Sequence, residues 1–171
     1  MFDVIDEPIA LPTGVVLSRR CETVGSIVHV ATDDLAGVRD GDGVERAFLV
    51  ESTVQLDGPA SDGPIMFVFF ARRRDMTADQ FRSHWRDQHA PQARRHHVGM
   101  SRYVQHVVVD GTDENVDGIA ELHFASTTDL TDRFYASEES VGVIAEDVAK
   151  FSGRRADTYV VAAARTVERR V

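Results

Sequence analysis

The chain has 171 residues, of which 43% are hydrophobic and 27% charged, and it carries a net charge of −9; this balance fits a folded globular protein of about one domain and excludes a disordered chain. The basic clusters at 72–74, 94–95 and 154–155 are short, the first and last have acids nearby, and the net charge is negative, which argues against a nucleic-acid surface. Cys21 is the single cysteine, no apolar run approaches the roughly 18 residues of a membrane span, and the opening "MFDVIDEPIALPTG" has acids where a signal peptide would be basic, so a cytoplasmic protein is expected.

Residues 1 to 56 hold short β-like runs, "TGVVLSRR", "GSIVHVATDD" and "ERAFLVESTVQL", separated by Pro, Gly and Asp. The stretch "LDGPASDGP" at 56–64 reads as a linker, so the division falls into a β-rich N-terminal extension, 1–62, and a main domain, 63–171. "IMFVFFAR" at 65–72 is a strand apolar on both faces. "MTADQFRSHWRDQHAPQARRHH" is helical: Thr77 and Gln80 form a capping box, Phe81, Trp85 and His89 recur every four residues, and Gly99 is the stop. Pro91 predicts a kink or an end just after His89. Strands follow at 101–110 and 118–126, joined by "GTDENVD". A second helical stretch, broken near Ser137, places Val141, Ile144, Ala145, Val148 and Phe151 on its apolar side, and "TYVVAAARTV" at 158–167 closes as a fourth strand.

The order βαββαβ is the split arrangement of a ferredoxin-like α+β sheet. Two helices cover one face, yet Phe67 and Phe69 on one side of the first strand and Met66, Val68 and Phe70 on the other are all apolar. Either residues 1–62 fold over the second face or a second copy of the chain does, because a large apolar patch rarely stays exposed. A homodimer enclosing a pocket is the favoured expectation, and for the extension a degenerate half of a second barrel module, an edge extension and a lid all remain open.

The run "MTADQFRSHWRDQHAP" followed by "VGMSRYVQHVV" resembles the signature of the EthD family, a group within the dimeric α+β barrel superfamily. The resemblance spans about residues 64 to 167 and rests on Phe81, Trp85, His89, Pro91, Gly99, Tyr103 and Gln105, with "AEDVAKF" resembling the family's second helix. Gln92 and Val98 depart from the pattern, standing where an apolar residue and a Pro are usual. The resemblance implies a dimeric barrel with a pocket between sheet and helices, His89 at its rim, and an activity among cofactor-independent oxygenation, dehydration, cyclisation and isomerisation; the family includes proteins tied to oxidative degradation of ethers.

Imidazole exchanges protons near neutral pH and contributes a rate factor of about 10²–10⁴ as a general acid or base, which makes His89 the first candidate. Tyr103, as a donor to a developing oxyanion, and His106, as an orienting partner, are the others; their opposite strand parity lets only one share a given face. Phe67, Phe69, Trp85 and His123 are the expected substrate contacts, although the face taken by His123 depends on register. His84 is expected to face solvent, and His96 and His97 to suit the negative end of the helix dipole. His84 and His89 are five apart, about 140° around a helix, and HExxH, a cysteine cluster, nucleotide fingerprints and the GxSxG elbow are all lacking, so neither a metal nor a cofactor is expected. "DGDGVE" at 40–45 lacks the alternating acids and distal Glu of a calcium loop and reads as a turn. No axial ligand identifies haem.

Two functions follow. The favoured one is an enzyme acting on a small apolar molecule, aromatic or polyketide-like, by His-assisted acid/base chemistry of oxidoreductase or lyase/isomerase type. The alternative is a binding or accessory protein that carries such a molecule without turning it over.

Overall fold

The computed structural model describes residues 14–19, 26–30, 35–40, 44–59, 62–153, 157–161 and 165–167. Its strands are β1 Gly14–Arg19, β2 Ser26–Val30, β3 Val44–Leu56, β4 Ile65–Phe70, β5 Met100–Gly111, β6 Gly118–Phe124, β7 Asp157–Val161 and β8 Arg165–Val167. The helices are α1 Leu35–Arg39, α2 Ala78–His84, α3 Ala90–His96, α4 Thr127–Thr131 and α5 Glu138–Phe151, with a π-helical turn, Trp85–His89, joining α2 to α3.

The βαββαβ core is present as β4, the α2–α3 helix, β5, β6, α5 and β7, with β4 antiparallel to both β6 and β7 and β5 antiparallel to β6. The fold is α+β. Three of its features differ from the sequence expectation. A short helix, α1, lies within the β-rich extension. The last strand is split, β7 pairing with β4 and β8 pairing in parallel with β2. Of the arrangements left open for the extension, its strand β3 takes that of an edge extension, pairing with β5 beside the core sheet. The helix does not end at Pro91 but runs on to His96 after a π-helical turn.

Pro91 is accommodated by the π-turn before it. Proline lacks an N–H and its ring crowds the carbonyl four residues back, which an ordinary α-turn cannot relieve. Here the Ala90 N–H reaches the Trp85 carbonyl, and the wider turn lets the chain continue into α3. The N-terminus is the expected capping box, with Gln80 N donating to Thr77 Oγ1 at 3.2 Å and Thr77 N to Gln80 Oε1 at 2.8 Å.

One core lies between helices and sheet, where Phe81, Trp85 and Phe151 pack on Phe70, Met66 and Leu122. Phe81 and Trp85 have ring centroids 5.4 Å apart, and Phe70 and Trp85 5.7 Å. Trp85 reaches the sheet over Gly118, where a Cβ would meet its ring at 2.5 Å. The other sheet face carries a second cluster, Phe48, Val50, Ile65, Phe67, Phe69 and Ile119.

The strand order β7-β4-β6-β5-β3-β1-β2-β8 shows how that second face is enclosed. Were the sheet flat, its two edge strands would be about 34 Å apart at about 4.8 Å per strand. Yet β7 ends at Val161 and β8 starts at Arg165, a chain reach of about 14 Å at most. The sheet is therefore rolled towards its second face. The rings of Phe48 on β3 and Phe69 on β4, with β5 and β6 between their strands, meet at 5.9 Å across the inside of the curve.

Candidate active site

The site begins with the stripe that the helix turns towards the sheet. Phe81, Trp85 and His89 are buried in succession along α2 and the π-turn. Helix α5 packs against this segment and buries Ser140, Ile144, Asp147 and Phe151. Three of these positions hold the expected kinds of core side chain, small or apolar. The fourth is a carboxylate.

Asp147 accepts hydrogen bonds from two histidines. His89 Nδ1 approaches its Oδ2 at 2.9 Å and His84 Nε2 its Oδ1 at 3.0 Å, while Lys150 Nζ stands 3.7 Å from Oδ1. Burial pushes the Asp147 carboxyl upward, but the hydrogen bonds from His89 and His84, with the charge of those rings, more than offset this and hold it below the usual carboxylate range. An acceptor at Nδ1 fixes the His89 tautomer and ring orientation, leaving Nε2 without a partner among the described residues. Phe151 sets its ring against His89 with centroids 5.0 Å apart.

His89 lines a cavity of about 240 Å³ between the sheet and the helices, with Met66, Tyr103, Leu122, Phe134 and Val148 among its other walls. The lining is largely apolar with a few polar groups, the composition of a small-molecule site. Tyr103 is fully buried, and this raises its phenol pKa despite the hydrogen bond it receives from Gln105 Nε2 at 2.9 Å, so its O–H stays a donor. The same Gln105 nitrogen donates to the Trp85 carbonyl at 2.9 Å and ties the π-turn to β5.

His97 completes the polar set. Burial lowers its imidazole to about 4, helped by the nearby His89 and His96 charges and opposed by a hydrogen bond to the Phe134 carbonyl, so the ring is neutral at ordinary pH. Its Nδ1 is buried without a hydrogen-bond partner. Phe134 stacks on it with centroids 4.2 Å apart and planes 14° from parallel.

His89, Tyr103 and Trp85 are thus on the helix side of the sheet, with His89 and Tyr103 on the cavity wall and Trp85 behind them. His106, Phe67, Phe69 and His123 are not brought to this place. They belong to the opposite face, where His106 Nε2 bonds Glu121 Oε2 at 2.8 Å, His106 Nδ1 bonds Ser52 Oγ at 2.7 Å, and His123 Nε2 meets Glu121 Oε1 at 2.5 Å. The opposite parity of Tyr103 and His106 holds as expected. Two expectations are corrected: His84, only 20% exposed at its side chain, faces Asp147 and not open solvent, and His97 lines the cavity and is no exposed end-of-helix cation, because the helix passes Pro91 and delivers it inward. His96 instead bonds Ser140 Oγ through Nδ1 at 2.9 Å.

Asp147 is the site residue that the sequence reading missed. Its signal was there in "GVIAEDVAKF": an acid three residues after Ile144 and four before Phe151 lies on the apolar stripe of the helix. Among the described residues no group of three or more His, Cys, Asp or Glu is arranged to hold a metal ion. None of the described helices is long and apolar enough to cross a membrane.

The EthD domain profile matches residues 73–155, the segment that supplies His84, His89, His97, Tyr103 and Asp147. The chain carries an EthD domain. Among solved structures it is similar to an anthrone oxidase-like protein, at 13% identity and a TM-score of 0.57 over 93% of this chain and 76% of that one. An EthD family protein from Bacillus halodurans matches at 16% identity and a TM-score of 0.47, over 57% of this chain and 95% of that one. A candidate monooxygenase from Lactobacillus acidophilus matches at 11% identity and 0.48, over 90% and 80%. No curated protein matches the chain. With the EthD domain in place, the likeness to the anthrone oxidase-like protein establishes the dimeric α+β barrel type of fold, and because it runs over 93% of the chain it takes in the N-terminal strands as well as the EthD segment.

Proposed function

We propose that this EthD protein is a small-molecule enzyme that moves a proton on an apolar, aromatic substrate held in the cavity between sheet and helices. The observation that carries this reading is the His89–Asp147 pair, with Nδ1 held by a carboxylate and Nε2 left to the cavity. In that arrangement Nε2 accepts a proton from an acidic O–H or C–H of the substrate, and the imidazolium that forms is stabilised by Asp147. Tyr103 offers its O–H to the oxygen on which negative charge collects. The substrate anion then either gives electrons to dioxygen, as an oxidase would have it, or expels a leaving group, as a lyase would. The fold shared with an anthrone oxidase-like protein supports the oxidative branch.

The test is native mass spectrometry of protein isolated from its own host, wild type beside His89→Gln. Different bound molecules in the two, related as product and substrate, support turnover at His89. The same molecule in both, unchanged on incubation in air, would leave a carrier and overturn the catalytic reading.

A further inference from the structure

We infer that His84 is a positioning residue for His89: it holds one oxygen of Asp147, so that the other stays aimed at His89 Nδ1 and leaves Nε2 to take a proton. The role rests on reading His89 as the acid/base residue of the cavity and adds a residue that acts from outside it.

The π-turn makes the arrangement possible. His84 and His89 are five residues apart, which an α-helix would set about 140° from one another. The wider turn, closed by the Ala90 N–H on the Trp85 carbonyl, instead brings both rings to a single carboxylate on α5. Such turns interrupt α-helices rarely and frequently at functional sites.

The last torsion of an aspartate is broad, so one hydrogen bond leaves the plane of its carboxylate loosely set. Asp147 has two, His89 Nδ1 on Oδ2 at 2.9 Å and His84 Nε2 on Oδ1 at 3.0 Å. Lys150 Nζ stands 3.7 Å from Oδ1, too far to hold that oxygen by a hydrogen bond. Buried Phe151 packs against both imidazoles, with centroids 5.4 Å from His84 and 5.0 Å from His89. His84 lines the outer groove and is absent from the cavity wall, whereas His89 lines the cavity. Its route to the substrate therefore runs through Asp147 alone.

The test is ¹⁵N spectroscopy of the imidazole nitrogens in the full-length wild type, His84→Leu and His84→Gln, before and after addition of 1-naphthol as an aromatic acid. Leucine keeps bulk against Phe151 and removes the donor, and the amide of glutamine restores an N–H for Oδ1. The wild type is expected to hold His89 as one tautomer, with its proton on Nδ1. In His84→Leu the two His89 nitrogen shifts should move towards each other as the second tautomer is populated, and His84→Gln should reverse this. 1-Naphthol should move His89 Nε2 in the wild type and bind about tenfold more weakly in His84→Leu, the equivalent of one hydrogen bond. An unchanged tautomer in His84→Leu, or a change that His84→Gln does not reverse, overturns the role of His84 and leaves the His89–Asp147 pair as it stands. No movement of His89 Nε2 with 1-naphthol in the wild type overturns the acid/base reading and the role of His84 with it. Should His84→Leu not fold, the wild-type His84 ring decides: a proton on Nε2 supports the assignment, and one on Nδ1 alone refutes it.

Discussion

His89 and Asp147, 58 residues apart in sequence, meet through Nδ1 and Oδ2 at 2.9 Å in the space between the π-turn and α5. On the far side of the same carboxylate, His84 borders an open groove formed with Arg73, Asp87 and Lys150. One side chain therefore touches both the buried His89 and the half-buried His84. Asp147→Asn keeps the volume but has a single acceptor oxygen for two imidazole donors. It should lose about 1–3 kcal/mol of stability by urea unfolding. Once a substrate is known, kcat should fall by about 10²–10⁴ in both Asp147→Asn and His89→Gln. Full turnover in His89→Gln would remove the acid/base assignment.

Two pH windows separate His97 from Asp147. The His97 imidazole has its folded value near 4 against an ordinary 6.5, so the unfolded chain binds the extra proton first and stability falls as pH drops from about 6.5 to about 4. Asp147 is held below the usual carboxylate range. Its contribution is present above the unfolded value of about 4 and is lost at lower pH, as the depressed folded value is reached. Urea midpoints measured from pH 7 to pH 3 should decline in both windows for the wild type. His97→Phe should flatten the upper window and Asp147→Asn the lower one.

Gly118 sits beneath the indole of Trp85, where a Cβ would lie 2.5 Å from one ring carbon and 3.0 Å from Phe81 Cζ. Both rings are fully buried and cannot withdraw to solvent. Gly118→Ala should cost about 1–3 kcal/mol through overpacking, read as a lowered Tm. Because the displaced Trp85 belongs to the segment that carries His89, probe binding in the cavity should weaken as well. A fully stable variant with unchanged binding would show that the aromatic layer is softer than its packing implies.

On the inner face of the sheet, Glu121 receives His106 and His123 at once. Glu121→Ala removes the acceptor from two partly or fully buried imidazoles and should lower stability by about 2–4 kcal/mol. Binding in the helix-side cavity should be far less affected, since neither His106 nor His123 lines it. A selective loss of binding with stability intact would place function on the inner face instead.

The α2–α3 helix was legible in the sequence because its signals are local: Thr77 and Gln80 close a box over one turn, and Phe81, Trp85 and His89 repeat at helical spacing. Pro91 misled for the same reason. Local rules for proline assume an α-turn, and the single wide turn at 85–89 that absorbs it is a choice made by tertiary packing. That one turn decided the fate of His97, which a helix ending at His89 would never have sent inward. Asp147 could be placed on a stripe but not paired, since nothing in sequence says which of seven histidines an acid in a different helix will meet. His106 was separated from Tyr103 by strand parity alone, whereas the face of His123 needed the observed pairing of Arg102 with His123 across β5 and β6. The pairing of β8 with β2, between segments more than a hundred residues apart, leaves no local trace at all.

The closeness of β7 and β8, held at opposite ends of the strand order by a three-residue connection, has a bearing on ancestry and symmetry. In a barrel made by two identical subunits, every cavity occurs twice and a substitution alters both. Here β1, β2 and β3 extend the sheet from within one chain, and among its described residues the extension has one helix, the five-residue α1, where a full partner would bring a complete helical layer. The two halves are free to diverge. Within one such sheet, a substitution on β4, β5 or β6 alters the helix-side cavity without altering β1, β2 or β3.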